Sequence, residues 1–194
     1  MLGSLVERVF ESHFLRKLYH LLGGGLGIIA LLLLEPKWFL LAGALYALAF
    51  FIYGRRISFA AIGVMLVLLL SGSKFITLLT TVIWVVGDGL AGFLGAAYGK
   101  RKWPWHAHKT IVGSVSFFAG SSLATLVLLF ASAGLPPLTL LLLSTLPCLV
   151  ASMVEILPLY FIRDRKVDDN LIVILATGLV LRILTAWLEV KAGL

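Results

Sequence analysis

Seven apolar runs, separated by short polar, glycine or proline breaks, leave this chain few ways to fold. They cover roughly residues 18–34, 38–53, 57–71, 75–98, 110–133, 137–161 and 170–188. A helix needs about 20 apolar residues to cross the hydrocarbon core of a bilayer, and inside lipid only helices and closed barrels satisfy every backbone polar group. Composition closes off a water-soluble alternative. Of 194 residues 61% are hydrophobic and 13% charged, with mean hydropathy +1.08, more apolar surface than a soluble domain of this length can bury. The expected fold is all-α: a polytopic integral-membrane bundle of about seven transmembrane helices in one domain, residues 1–194, with the bundle at 18–190. Several runs are short for a span, so tilted packing or a re-entrant third segment stays open.

Ahead of the bundle, residues 1–17 place Leu2, Leu5, Val6, Val9, Phe10 and Phe14 at helical spacing, with Glu7, Arg8, Glu11, Ser12 and Arg16 mostly opposite. That pattern predicts an amphipathic interfacial helix. Charge sets the orientation. With the N-terminus cytoplasmic, twelve cations fall on the inner side (Arg8, Arg16, Lys17, Arg55, Arg56, Lys100, Arg101, Lys102, Lys109, Arg163, Arg165 and Lys166) and three on the outer (Lys37, Lys74 and Lys191), with Arg182 inside the last run. The positive-inside rule therefore favours a cytoplasmic N-terminus and seven crossings. The net charge of +7 follows this clustering, so membrane lipids and not nucleic acid are the expected partners. A single cysteine, Cys148, excludes an intrachain disulfide. Glu7 and Glu11 argue against a cleavable signal, and the short chain without a transit segment favours a prokaryotic plasma membrane.

Chemistry-bearing residues collect on the inner side of this threading. A charge near mid-membrane costs about 2.5–3.5 kcal/mol on insertion scales and usually faces a cavity or a partner. Asp88 and Glu155 fall in the cytoplasmic halves of the fourth and sixth runs. His20, beside Arg16 and Lys17, begins the first run, and Asp168, Asp169 and Asn170 begin the last. Gly92, Gly95 and Gly99 share the Asp88 face, which suits close helix packing and ligand approach equally. Asp169 and Asn170 are also plausible helix caps, and Glu155 has Arg182 or a loop cation as an alternative partner. Lys109 and Thr110, followed by Gly113 and Ser114, open the fifth run, where free N–H groups and the positive dipole end suit phosphate. No Walker A pattern occurs. His106 and His108 lack ligands at zinc spacing and read as loop residues.

Arg16-Lys17-Leu18-Tyr19-His20 resembles the RKxxH motif of the polyprenol kinase family, which includes dolichol and phytol kinases. Gly87-Asp88-Gly89-Leu90-Ala91, continuing through Gly95, Gly99 and Lys100, resembles its GDxxAxxxGxxxGK segment. Lys109-Thr110-Ile111-Val112-Gly113-Ser114 resembles KTxEGS, with Val112 where the family commonly has Glu. Val154-Glu155 and Asp169-Asn170-Leu171 resemble the closing VE and DNL pair. The resemblance implies a membrane kinase that moves the γ-phosphate of CTP to an isoprenoid or other lipid alcohol, using Mg2+. It implies Asp88, Asp169, Asp168 and Glu155 near the metal. Lys17, Lys109, Thr110, Gly113, Gly95, Gly99 and Asn170 would sit near the nucleotide phosphates, and Asp88, His20 and Lys109 are the expected catalytic residues. A CDP-lipid-forming cytidylyltransferase, which shares a related Gly-Asp and Lys-Thr core, is the alternative enzyme. A non-catalytic transporter or scaffold is the third reading.

Overall fold

The computed structural model describes residues 18, 21–53, 59–106, 108–131, 134–157, 160–161, 165–166 and 169–188. The amphipathic segment at 1–17, together with Lys17, His20 and Asp168, lies outside the described residues. Seven helices follow one another: α1 (Leu21–Leu33), α2 (Pro36–Tyr53), α3 (Phe59–Ser71), α4 (Lys74–Tyr98), α5 (Ile111–Ala131), α6 (Pro137–Glu155) and α7 (Asp169–Trp187). Their bounds follow the apolar runs closely, with one correction. The sixth run, expected to continue to 161, stops being helical at Glu155. Ile156 caps it, and Tyr160–Phe161 form a two-residue antiparallel pair, β1 and β2, with Arg165–Lys166. Pro158 supplies the reason, because a proline disfavours helical backbone in the residue before it.

Among the described residues four helices, α4 to α7, are long and apolar enough to cross a membrane, while α1 and α3 are shorter apolar helices. The centre of the bundle is α4, with 83% of its apolar window buried against 22–39% for α5, α6 and α7. It packs against α5, α7, α3 and α6. Leu79, Ile83, Phe117, Leu129, Leu143, Ile174 and Leu181 form the dry interior. The outer faces are apolar too: Leu33, Leu70, Phe130 and Trp187 are all more than two-thirds exposed. A contiguous apolar exterior over an equally apolar core is the inverse of a soluble bundle.

Packing inside such a bundle relies on small residues. Gly24 of α1 lies against Val85, Gly89 of α4 against Leu21, and Gly63 and Gly178 hold α3 close to α7. Several buried hydroxyls are satisfied within their own helices: Thr80 donates to the Ile76 carbonyl at 2.8 Å, Ser121 to Phe117 at 2.7 Å and Thr177 to Val173 at 2.6 Å. Bonding back one turn lets a helix carry a hydroxyl without a cross-helix partner.

The two ends of α4 differ in character. At its start Gly72 takes a left-handed φ of 63° and Ser73 caps the helix by accepting from the Ile76 N–H, while Lys74 Nζ reaches the Leu32 carbonyl at 3.4 Å. The α1–α2 and α3–α4 junctions therefore sit together. The 25 residues of α4 place its other end about 37 Å away, where the polar residues gather.

Candidate functional site

Three helix ends meet at Lys109. Its ammonium lies 2.6 Å from Glu155 Oε1 and 3.1 Å from Asp169 Oδ2. Glu155 is the last residue of α6 and Asp169 the first of α7, so a loop lysine ahead of α5 closes the gap between two consecutive helices. The helix dipole treats the two acids differently. It favours an anion at the N-terminus of α7 and opposes one at the C-terminus of α6. The shorter contact goes to Glu155, the acid that is also the more buried, with 6% side-chain exposure against 48% for Asp169. Burial acts to lower the Lys109 pKa, but Glu155, Asp169 and the more distant Asp88 outweigh it and hold the ammonium above its ordinary value.

Asp88 is buried, a little past the midpoint of α4. One turn earlier on the same face, the Trp84 indole N–H donates to Asn170 Oδ1 at 3.0 Å. This bond sets the first turn of α7 level with the Trp84–Asp88 turn of α4. Asp88, Glu155, Lys109, Asp169 and Asn170, scattered over 83 residues, thus gather at one end of the bundle, as the threading of the sequence expects. Arg182 is not the Glu155 partner; the loop cation is.

Thr110 and the glycines are tied into the α4–α5 contact. Thr110 Oγ1 accepts from the Gly113 N–H at 3.1 Å and so caps α5. A Cβ added to Gly95 would meet Thr110 Oγ1 at 3.0 Å and the Gly113 Cα at 3.2 Å; one on Gly113 would meet the Ala91 carbonyl at 3.1 Å. These glycines let the start of α5 lie directly on the last turns of α4, and that contact aims Lys109 at the acids. Ser114 Oγ accepts from the Trp103 indole N–H at 2.9 Å.

The connecting loop is ordered by its own bonds. Lys102 and Thr110 form an isolated bridge, the Trp103 N–H donates to the Lys109 carbonyl at 3.1 Å, and His106 Nδ1 accepts from the Lys109 N–H at 3.2 Å. His106 is thus a loop organiser, as its spacing suggests. Trp84 and the loop tryptophans are participants that the sequence reading passed over. Trp84 was recoverable, since it lies at i−4 from Asp88. Trp103 and Trp105 sit in an irregular loop where no periodicity marks them.

Among the described residues no group of three or more His, Cys, Asp or Glu is gathered as a ready-made metal site. The donors nevertheless fit Mg2+, which is commonly bound by one or two carboxylates together with substrate phosphates. Lys109 already brings two carboxylates, Glu155 and Asp169, to one positive charge.

Fold and site together define an apolar helical bundle with an ion-paired polar cluster where α5, α6 and α7 meet. Over part of its length the chain is similar to two plant proteins. It is 34% identical over 122 residues, 58% of this chain and 39% of the relative, to a protein of Glycine max described as probable phytol kinase 1, chloroplastic. It is 37% identical over 98 residues, 48% of this chain and 30% of the relative, to a protein of Oryza sativa subsp. japonica with the same description. These relatives support a polyprenol/phytol kinase-like family for the chain, which spans well under half the length of either. Their chloroplast assignment runs against the prokaryotic plasma membrane expected above. No family model matches the chain, and no solved structure matches it.

Proposed function

We propose that this chain is an integral-membrane lipid-alcohol kinase, transferring the γ-phosphate of CTP to an isoprenoid alcohol of the phytol or polyprenol type. The observation that carries this reading is the Lys109 junction: a charged lysine held by two carboxylates where the ends of α6 and α7 meet the start of α5. The relatives described as phytol kinases supply the substrate class. The bundle lies in the bilayer with the Lys109 end toward the cytoplasm, and the alcohol enters between helices with its tail in lipid.

Phosphoryl transfer asks a protein mainly for positioning and charge neutralisation. Lys109, with Lys17 and the Thr110 hydroxyl at the positive dipole end of α5, holds phosphate oxygens. The close approach of Gly95 and Gly99 to Thr110 fixes where those groups point. Asp88, Glu155 and Asp169, with Asp168, would hold Mg2+, which would supply charge neutralisation for the transferred phosphate. Asn170, anchored by Trp84, orients the start of α7. His20 or one of the carboxylates accepts the hydroxyl proton.

The test is transfer by the purified protein in lipid with Mg2+, phytol or geranylgeraniol, and CTP labelled at either the α or the γ phosphorus. Label entering the alcohol from γ alone is expected. Entry from α instead would replace the kinase with a cytidylyltransferase, and label from neither with every alcohol offered would leave a non-catalytic role.

A further inference from the structure

Beside the Lys109 junction stands a pair of tryptophans with no part in the scheme above. Trp103 and Trp105 stack with ring centroids 5.2 Å apart and planes inclined by 27°. Both indole N–H groups are committed to the protein. Trp103 donates to Ser114 Oγ on α5 at 2.9 Å, and Trp105 donates to the Ile156 carbonyl at 3.1 Å. The pair is thereby pinned to two different helices. Trp105 nevertheless remains 52% exposed. Ile156 directly follows Glu155, so Trp105 and Lys109 grip adjacent residues at the end of α6: the indole holds a carbonyl and the ammonium holds the neighbouring carboxylate.

An interfacial tryptophan that anchors a protein in lipid keeps its N–H for the headgroup region and its ring for the acyl boundary. Here both N–H groups are spent inside the fold, and the exposed ring is backed by a second ring. A rigid aromatic surface next to a phosphate-binding lysine is suited to a nucleobase, because little side-chain freedom is lost when a base stacks on it.

We propose that Trp105, backed by Trp103, is the platform on which the base of the nucleotide stacks while Lys109 holds its phosphates. This assignment rests on the kinase reading of the site and adds to it the place where the base goes. Stacking is tolerant of base identity, since every base has a π-face. Trp105 therefore provides affinity for nucleotides in general, and selection of cytosine over other bases comes from other groups.

The experiment compares CTP with tripolyphosphate, which carries the phosphates without a base, as ligands of the full chain in detergent or nanodiscs with Mg2+. Wild-type protein is expected to bind CTP more tightly than tripolyphosphate. Trp105→Ala is expected to weaken CTP binding about tenfold, equivalent to about 1.4 kcal/mol, with tripolyphosphate unchanged. Trp105→Phe, which keeps a ring but not the N–H bond, is expected to retain most of the CTP affinity. The same fold-loss is expected for UTP and ATP wherever these bind. Unchanged CTP affinity in Trp105→Ala would overturn the proposal and return Trp105 to the membrane interface. Equal losses for CTP and tripolyphosphate in both variants would overturn it in favour of a purely structural loop role. If wild-type protein binds CTP and tripolyphosphate equally, the platform fails while the kinase reading stands; if it binds neither, the kinase reading itself fails.

Discussion

Replacing Lys109 by methionine removes the ammonium while keeping much of the side-chain bulk, and the structure fixes what should follow. The Asp169 arm reaches a half-exposed carboxylate, and exposed pairs contribute only about 0–1 kcal/mol. The Glu155 arm is different: a 2.6 Å charged hydrogen bond to a carboxylate with 6% side-chain exposure. Such bonds contribute about 1.5–3 kcal/mol, and orphaning one partner of a fully buried pair costs about 3–5 kcal/mol. Lys109 keeps 22% side-chain exposure, so the loss should fall below that upper range, at about 2–3 kcal/mol. Chemical unfolding in mixed micelles at pH 7 measures it. Because the Lys109 pKa is raised in the folded protein, the pair's contribution is complete below the lysine's ordinary value of 10.5 and is lost only as pH climbs through the folded value. The wild-type advantage over Lys109→Met should therefore stay constant from pH 7 to 9 and shrink in stronger alkali. A double variant adding Glu155→Gln should recover part of the loss, because the carboxylate charge that Lys109 balances goes with it. A Lys109→Met protein within about 0.5 kcal/mol of wild type, near the limit for ordinary surface substitutions, or a double variant that loses the sum of both single effects, would refute the reasoning.

Two further substitutions probe the rest of the site. Asp88→Asn, isosteric and uncharged, should abolish transfer of labelled γ-phosphate while leaving membrane insertion and the thermal midpoint near wild type; full activity would remove Asp88 from the mechanism. Gly113→Ala should cost about 1–3 kcal/mol, the usual range for overpacking, because its new methyl meets the backbone carbonyl of Ala91. Gly120→Ala, whose methyl meets only the flexible end of Leu90, should cost less in the same unfolding assay.

Helix positions were legible because apolar runs and their breaks are local properties. The runs at 38–53, 75–98 and 170–188 and the helices Pro36–Tyr53, Lys74–Tyr98 and Asp169–Trp187 differ by at most two residues at either end. The sixth run misled because Leu157, Leu159, Tyr160 and Phe161 are as apolar as the span before them, and hydropathy does not register that Pro158 disfavours helical backbone at Leu157. The gathering of Asp88, Lys109, Glu155 and Asp169 at one end was legible from helix order, since successive helices of alternating direction bring those segments to the same end. Their pairing was not. Sequence offered Glu155 both Arg182 and a loop cation, and only the reach of Lys109 from the start of α5 separates the two. The two uses open to Gly95 and Gly99 also needed coordinates, because close helix approach and ligand approach demand the same absence of a side chain.

The depth of the carboxylates follows from one hydrogen bond. Trp84 to Asn170 sets the first turn of α7 against the middle of α4, so the last ten residues of α4, Gly89 to Tyr98, rise about 15 Å beyond the level of Asp88. Phe93 and Tyr98 on that extension are more than half exposed, and the start of α5 lies along it through Gly95 and Gly113. Asp88 and the start of α7 thus lie short of the end of α4, and Lys109, whose neighbour Thr110 packs on Gly95 and Gly99, reaches Asp169 with its side chain. Under the proposed reading this arrangement brings the two substrates together from opposite sides. A lipid hydroxyl needs to rise only a short way from the acyl region, while the nucleotide phosphates descend past the tryptophan loop. Under that reading the buried carboxylates Asp88 and Glu155 act through a lower dielectric than the half-exposed Asp169, and so would contribute more to a transfer reaction.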